Sequence, residues 1–187
     1  MRLAVLDANV LYPAHVRDLL LRLAIDGRYR PVWSRRIHDE WTRNVLQDRL
    51  DITAGQLERT RRQMDRAFPD ATAEGYEEHE GGINLPDPDD AHVAAAAVTA
   101  GAGLIVTFNL DDFPPEAILP LGIEAVHPDA FVFDMIEADP GGVVGAMRRH
   151  RALLRRPHVS ASDYVDYLDR AGLKATAQFV RTRISEL

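Results

Sequence analysis

Four stretches of this chain carry carboxylates where packing alone does not ask for them. Asp7 ends the apolar run Leu3 to Leu6, and in open parallel sheets the carboxyl edge of a strand is where ligands bind. A turn-forming role in Asp7-Ala8-Asn9 is the local alternative. Glu40 and Asn44 share a side with the apolar stripe Ile37, Trp41 and Val45, and a polar pair in such a stripe needs partners. Asp87, Asp89 and Asp90 crowd the start of the helix entered at Pro88. Capping uses Asp87 and favours acids near the positive helix end, but it does not require three carboxylates. Asp111 and Asp112 follow the apolar segment Leu104 to Phe108, so acids collect with Thr107 and Asn109 where another strand exits.

Carboxylates gathered without a cation repel one another. Mg²⁺ removes that penalty, because it takes oxygen ligands, keeps several waters and needs only one or two carboxylates beside a substrate phosphate. The chemistry that follows is activation of water and stabilisation of charge on a phosphodiester under in-line attack. No competing nucleophile stands out. Cysteine is absent, the seven histidines show no metal-ligand spacing, and there is no glycine-rich phosphate loop. An aspartyl-nucleophile phosphatase wants a second Asp two residues after the first, where this chain has Asn9, and a lysine within the fold, where this chain has only Lys174. A DNA nuclease on the same metal chemistry, and a non-catalytic module that binds RNA or protein, stay open as alternatives.

The elements that must position these groups alternate. Leu3 to Leu6 reads as a strand covered on both faces. Leu19, Leu20, Leu23 and Ala24 recur at helical spacing up to Gly27. Tyr29 to Trp33 reads as a short strand, Ser34 caps a helix to about Asp48, and Thr53 caps another to Phe68. Residues 69–86 read as a loop or irregular insert. Pro88 opens a helix to Ala100, Leu104 to Phe108 is the clearest strand, 114–119 a short helix, and 123–126 a last strand. This alternation predicts an α/β fold with a parallel sheet sandwiched between helices. Beyond His127 only helices are expected, at about 128–138, 142–154, 160–170 and 173–185. The division expected is therefore 1–127 for the catalytic domain and 128–187 for a C-terminal helical extension.

The chain has 187 residues, 46% hydrophobic and 27% charged, which suits one α/β domain with a small appendage. No apolar run is long enough for a membrane helix, the first residues do not form a secretion signal, and the lack of cysteine fits the cytoplasm. The net charge of −7 is unevenly spread. Between Ala67 and Met147 there are 16 acids and no Lys or Arg, whereas the remainder holds all 22 basic residues against 13 acids. An acidic centre flanked by basic segments matches either a metal-binding patch with phosphate-binding rims or a bias of genomic composition, since Lys174 is the only lysine. The densest basic run is Arg148, Arg149, Arg151, Arg155 and Arg156. Arg149, Arg151 and Arg155 are candidates for RNA contact there, with a solvated helix face as the alternative.

Taken in order, Val5-Leu6-Asp7-Ala8-Asn9-Val10-Leu11, Ile37-His38-Asp39-Glu40-Trp41, Asp90-Ala91-His92-Val93-Ala94-Ala95 and Val106-Thr107-Phe108-Asn109 with Asp112-Phe113 resemble the PIN-domain nucleases across residues 3–127. The resemblance implies a three-layer α/β/α sandwich and Mg²⁺-dependent cleavage of single-stranded RNA, with Mn²⁺ able to substitute. It also implies frequent homodimers and, for small bacterial members, a VapC-type toxin held inactive by a partner antitoxin. Carried over, Asp7, Glu40, Asp90 and Asp112 match the catalytic, metal-binding acids. Asn9, Asn44, Asp87, Thr107, Asn109 and Asp111 are supporting positions, Asp87 sharing the helix mouth with Asp90 and Asp111 adjoining Asp112. The region after His127 exceeds the compact toxin pattern.

Overall fold

In the computed structural model, which describes residues 1–154 and 159–187, the chain divides into two compact units. One comprises Met1–Tyr12 and Tyr29–Val126, the other Pro13–Arg28 and His127–Leu187.

The first unit is built on four short strands, β1 (Leu3–Leu6), β2 (Arg30–Val32), β3 (Leu104–Val106) and β4 (Glu124–Val126). They lie in the order β2-β1-β3-β4, and every pairing is parallel. Val5 stands opposite Val32 on one side and Ile105 on the other. Ala4, Val5, Leu6, Ile105 and Val106 are all fully buried. Successive side chains of a strand point to opposite faces, so burial of consecutive residues means that both faces are covered. That is why these strands are continuous apolar runs and not alternating patterns.

The sheet is flanked by helices. They are α1 (Ala8–Leu11) and, after α2 (Ala14–Ile25) of the second unit, α3 (Arg35–Asp48), α4 (Ala54–Ala67), α5 (Glu77–Glu80), α6 (Ala91–Ala100) and α7 (Pro115–Ile118). The Ser34 hydroxyl accepts from the Ile37 amide at 3.2 Å and starts α3. Thr53 and Gln56 form a reciprocal capping box on α4. Along α6 the run Val93 to Ala97 is wholly buried, and small side chains let this helix lie close against β1, β2 and β3. Gly101 ends it at φ 64°, a left-handed conformation that suits glycine. Residues 69–86 are largely irregular, as expected, but include the single turn α5 and a parallel bridge from Thr72 to Trp33.

Strand order fixes where a site can form. The chain leaves β1 for β2 on one side, and after β2 it returns to the other side of β1 as β3. The reversal opens a crevice at the carboxyl ends of β1 and β3. Asp7 follows β1 directly, and Thr107 follows β3.

The second unit is helical: α2, α8 (Pro128–Ala138), α9 (Pro140–Leu153), α10 (Ala161–Arg170) and α11 (Lys174–Arg181). Helix α9 starts two residues ahead of the expected 142. Asp139 accepts from the Gly142 amide at 3.0 Å and Pro140 takes the first position, where its missing N–H costs nothing. The same carboxylate receives Arg28 at 2.9 Å. A Cβ on Gly142 would lie 2.0 Å from the Arg28 guanidinium and 2.1 Å from the Asp139 carboxylate, so a larger residue there would push this ion pair aside. Asp129 of α8 accepts the amides of Ala175 and Thr176 at 2.8 and 2.9 Å, capping α11. Among the described residues no helix is long and apolar enough to cross a membrane.

Candidate active site

A cavity of about 420 Å³ opens in the first unit, and its walls include Asp7, Glu40, Asp90 and Asp112. Each acid arrives on a different element. Asp7 is both the exit of β1 and the N-cap of α1, where one carboxylate oxygen accepts the Ala8 amide at 2.6 Å. Glu40 comes from α3. Asp90 closes the 3₁₀ turn Pro88–Asp90 that leads into α6, and Asp112 closes the turn Leu110–Asp112 after β3. Asn9, Asn44 and Asn109 line the same cavity.

The remaining supporting positions are placed as follows. Thr107 is fully buried. Its hydroxyl donates to Asp7 at 2.7 Å and accepts from the Asn9 side-chain amide at 2.8 Å and the Asn109 backbone amide at 3.0 Å. Asn9 also donates to Asp7 at 2.7 Å, while its carbonyl oxygen accepts the Phe108 amide at 3.0 Å. Asp7, Asn9 and Thr107 thus form one closed network that ties the exit of β1 to the exit of β3. Asp87 caps the turn Pro88–Asp90 by accepting the Asp89 amide at 2.9 Å. Asp87 and Asp111 are both exposed, and neither lines the cavity.

Burial and charge crowding in the cavity both act on its acids. Burial pushes the Asp7 carboxyl up to about 6, and the charge of Glu40 adds to this, against the lowering effect of the Thr107 hydroxyl. Burial likewise raises Asp90 to about 7, and repulsion from Asp7, Asp112, Asp87 and Glu40 adds to it. Carboxylates held up in this way are short of positive charge. Among the described residues, no three Asp, Glu or His side chains stand close enough together to make a ready-built metal cage. A hard, hydrated cation does not need one. Mg²⁺ keeps several waters and requires one or two carboxylates, and this cavity offers an all-oxygen donor set with room for the water shell. The residues present therefore fit such an ion.

Three further groups at this site escaped the sequence reading. Tyr12, Gln47 and Asp48 also line the cavity, and the Tyr12 hydroxyl donates to Asp48 at 2.9 Å. On α3, Glu40, Asn44, Gln47 and Asp48 recur at helical spacing. Extending the Glu40–Asn44 stripe by one turn is the signal that would have found the last two. Of the basic run, Arg149 is paired with Asp26, and Arg151 donates to the backbone carbonyls of Val159 and Leu187 at 2.8 and 3.0 Å. Arg155 lies outside the described residues.

Comparison with known proteins adds relatives to this geometry. The VapC50 C-terminal domain family matches residues 128–182, the helical region that follows β4. A protein of Mycobacterium tuberculosis named "Putative ribonuclease VapC50" is 50% identical over 48 residues, which is 26% of this chain and 28% of that protein. No solved structure matches the chain. The PIN domain family matches residues 3–111, more than half of the chain, and this chain belongs to that family.

Proposed function

We propose that this protein is a metal-dependent endoribonuclease that cleaves phosphodiester bonds of RNA and acts as the toxin of a type II toxin–antitoxin pair, held in check by a cognate antitoxin protein. One observation carries the catalytic part: Asp7, Glu40, Asp90 and Asp112 line a single cavity at the carboxyl edge of a parallel sheet, in mutual repulsion. Membership of the PIN family and the stretch shared with a protein named as a ribonuclease favour RNA as substrate. The match to the VapC50 C-terminal domain supports the toxin reading.

In this reading Asp7, Glu40, Asp90 and Asp112 hold Mg²⁺, with Mn²⁺ able to substitute. When bound, the ion supplies an activated water and offsets charge on the phosphate. The chain's own contribution is positional. Asn9 and Thr107 fix the Asp7 carboxylate, while Asn44 and Asn109 present side-chain amides able to hydrogen-bond phosphate oxygens. Of the basic run Arg149, Arg151 and Arg155, Arg149 and Arg155 neutralise RNA phosphates, while Arg151 is engaged by the carbonyls of Val159 and Leu187.

The test is cleavage by the purified chain of RNA and, in parallel, DNA with Mg²⁺ or Mn²⁺, beside its Asp7→Asn variant. It is joined by 5′-end sequencing of RNA from cells that briefly express either form. Cuts in RNA that appear with the parent and vanish with Asp7→Asn support the proposal. Cleavage by Asp7→Asn at the parent rate overturns it, and selective cutting of DNA redirects it to a different substrate.

A further inference from the structure

His92 lies two residues beyond Asp90, in the first turn of α6, and is 1% exposed. Its Nε2 sits 3.4 Å from Oε2 of Glu40, across from one helix to another. The other ring nitrogen, Nδ1, is buried without a hydrogen-bond partner. The ring is therefore oriented so that its single polar contact among the described residues is a carboxylate that lines the cavity. His38 and His150 also leave one buried ring nitrogen without a hydrogen-bond partner, but their other nitrogens meet the Trp41 indole and the Tyr164 hydroxyl. What sets His92 apart is that its Nε2 faces a carboxylate of the cavity wall.

We infer that His92 is a positioning residue for Glu40: its Nε2–H donates towards one carboxylate oxygen and holds the other for the cation. The inference rests on the metal-dependent reading of the site and deepens it. Oxygen ligands to a metal are commonly steadied by such a hydrogen bond, and its loss weakens metal binding about 10–100-fold. The position also links two of the acids mechanically. Asp90 and His92 share the start of α6, and His92 reaches Glu40 on α3, so this contact, beside that of Arg36 on α3 with the Asp89 carbonyl, links the elements that carry the second and third acids.

The experiment is calorimetric titration of the full chain with Mn²⁺, which needs no RNA and no turnover, with the fold of each variant checked by circular dichroism. His92→Leu keeps the bulk and removes the donor. His92→Gln puts an amide N–H near the place of Nε2. The expected result is about tenfold weaker Mn²⁺ binding for His92→Leu, recovery of most of it in His92→Gln, and no further loss when His92→Leu is added to Glu40→Gln. If His92→Leu does not fold, His92→Asn takes its place, because its amide falls short of Glu40. The positioning role is overturned if the donor-less variant binds Mn²⁺ as the parent does while Glu40→Gln binds it weakly. The functional reading fails, and the positioning role with it, if the parent binds no Mn²⁺ or if Asp7→Asn and Glu40→Gln both bind it undiminished.

Discussion

The Thr107 hydroxyl donates to the Asp7 carboxylate at 2.7 Å, joining residues 100 positions apart in sequence across the exits of two neighbouring parallel strands. That proton also leaves the Thr107 oxygen free to accept from Asn9 and from the Asn109 amide. Thr107 and the Asn109 amide at the β3 exit, with Asn9 at the β1 exit, thus form the network that orients one acid. Thr107→Val is close in shape but cannot donate, and it leaves Asp7 and Asn9 short of partners inside the fold. The expected outcome is a loss of stability of about 1–3 kcal/mol and Mn²⁺ binding about tenfold weaker, with Thr107→Ser retaining both. Thermal melts and calorimetry of the two variants provide the check. Equal behaviour of Thr107→Val and the parent would show that Asp7 is held by Asn9 and the Ala8 amide alone.

Asp7→Asn and Asp90→Asn are each expected to abolish RNA cleavage while the fold is kept. The substitution preserves shape and removes charge needed for the cation. In the absence of divalent metal, Asp90→Asn should also melt higher than the parent at neutral pH, because the cost of burying a charge there and the repulsion from Asp7, Asp112, Asp87 and Glu40 are both relieved. Saturating Mg²⁺ should reverse that order, since an ion bound only by the folded parent adds to its stability. A melting temperature for Asp90→Asn below that of the metal-free parent would contradict the repulsion.

The pH dependence has a definite sign. The folded Asp90 carboxyl titrates near 7, above the ordinary 3.8. Its contribution is fully present below pH 3.8 and is lost as pH rises through about 7, where the folded protein must give up a proton it holds more tightly than the unfolded chain. His38 and His150 work in the other sense. Burial lowers both to about 4 from 6.5, so their contribution is present above 6.5 and is lost as pH falls through about 4. Subtracting the melting temperature of the parent from that of Asp90→Asn cancels the two histidines. In metal-free buffer this difference should grow from pH 5 to pH 8. A flat difference would place Asp90 among ordinary solvated carboxylates.

Much of this was legible in the chain because apolar period and cap chemistry act locally. Leu3 to Leu6 and Leu104 to Val106 announce buried strands by lacking alternation. Ser34 and Thr53 mark helix starts with a side-chain acceptor in reach of the third amide. The acids were legible singly, and their shared cavity followed once strand order was known. The start of α9 carried a local sign that was missed, Asp139 capping three residues on with Pro140 at the first position, as at Asp87-Pro88. Other features had none, such as the Arg28 contact to Asp139 from 111 residues away. His92 reads in sequence as one more residue of a small-residue helix, because only the fold brings its ring to Glu40. Pro13–Arg28 gives no local sign either that α2 belongs with the C-terminal helices.

The last expectation separates two roles within the basic run of α9. Arg151 spends its guanidinium on the carbonyls of Val159 and Leu187, so it holds the end of the chain to its own unit. Arg151→Ala should cost about 1.5–3 kcal/mol, the value of hydrogen bonds that involve a charged group, which is read as a lower melting temperature. Arg149 is about half exposed and pairs with Asp26. Such a surface pair contributes about 1 kcal/mol or less, which leaves its guanidinium free to exchange Asp26 for a phosphate. Arg149→Ala is therefore expected to leave melting almost unchanged, to weaken RNA binding at low salt, and to reduce the slope of log affinity against log salt by about 1. Changing Arg149, Arg151 and Arg155 together should compound the loss of binding while cleavage at saturating RNA falls less, because the acid cavity is untouched. Filter binding of single-stranded RNA between 50 and 200 mM salt (roughly the range over which phosphate contacts are lost) makes the comparison. An Arg149→Ala slope equal to the parent's would assign this face to solvent. A change in complex size on a sizing column, with RNA binding intact, would assign it to a protein partner.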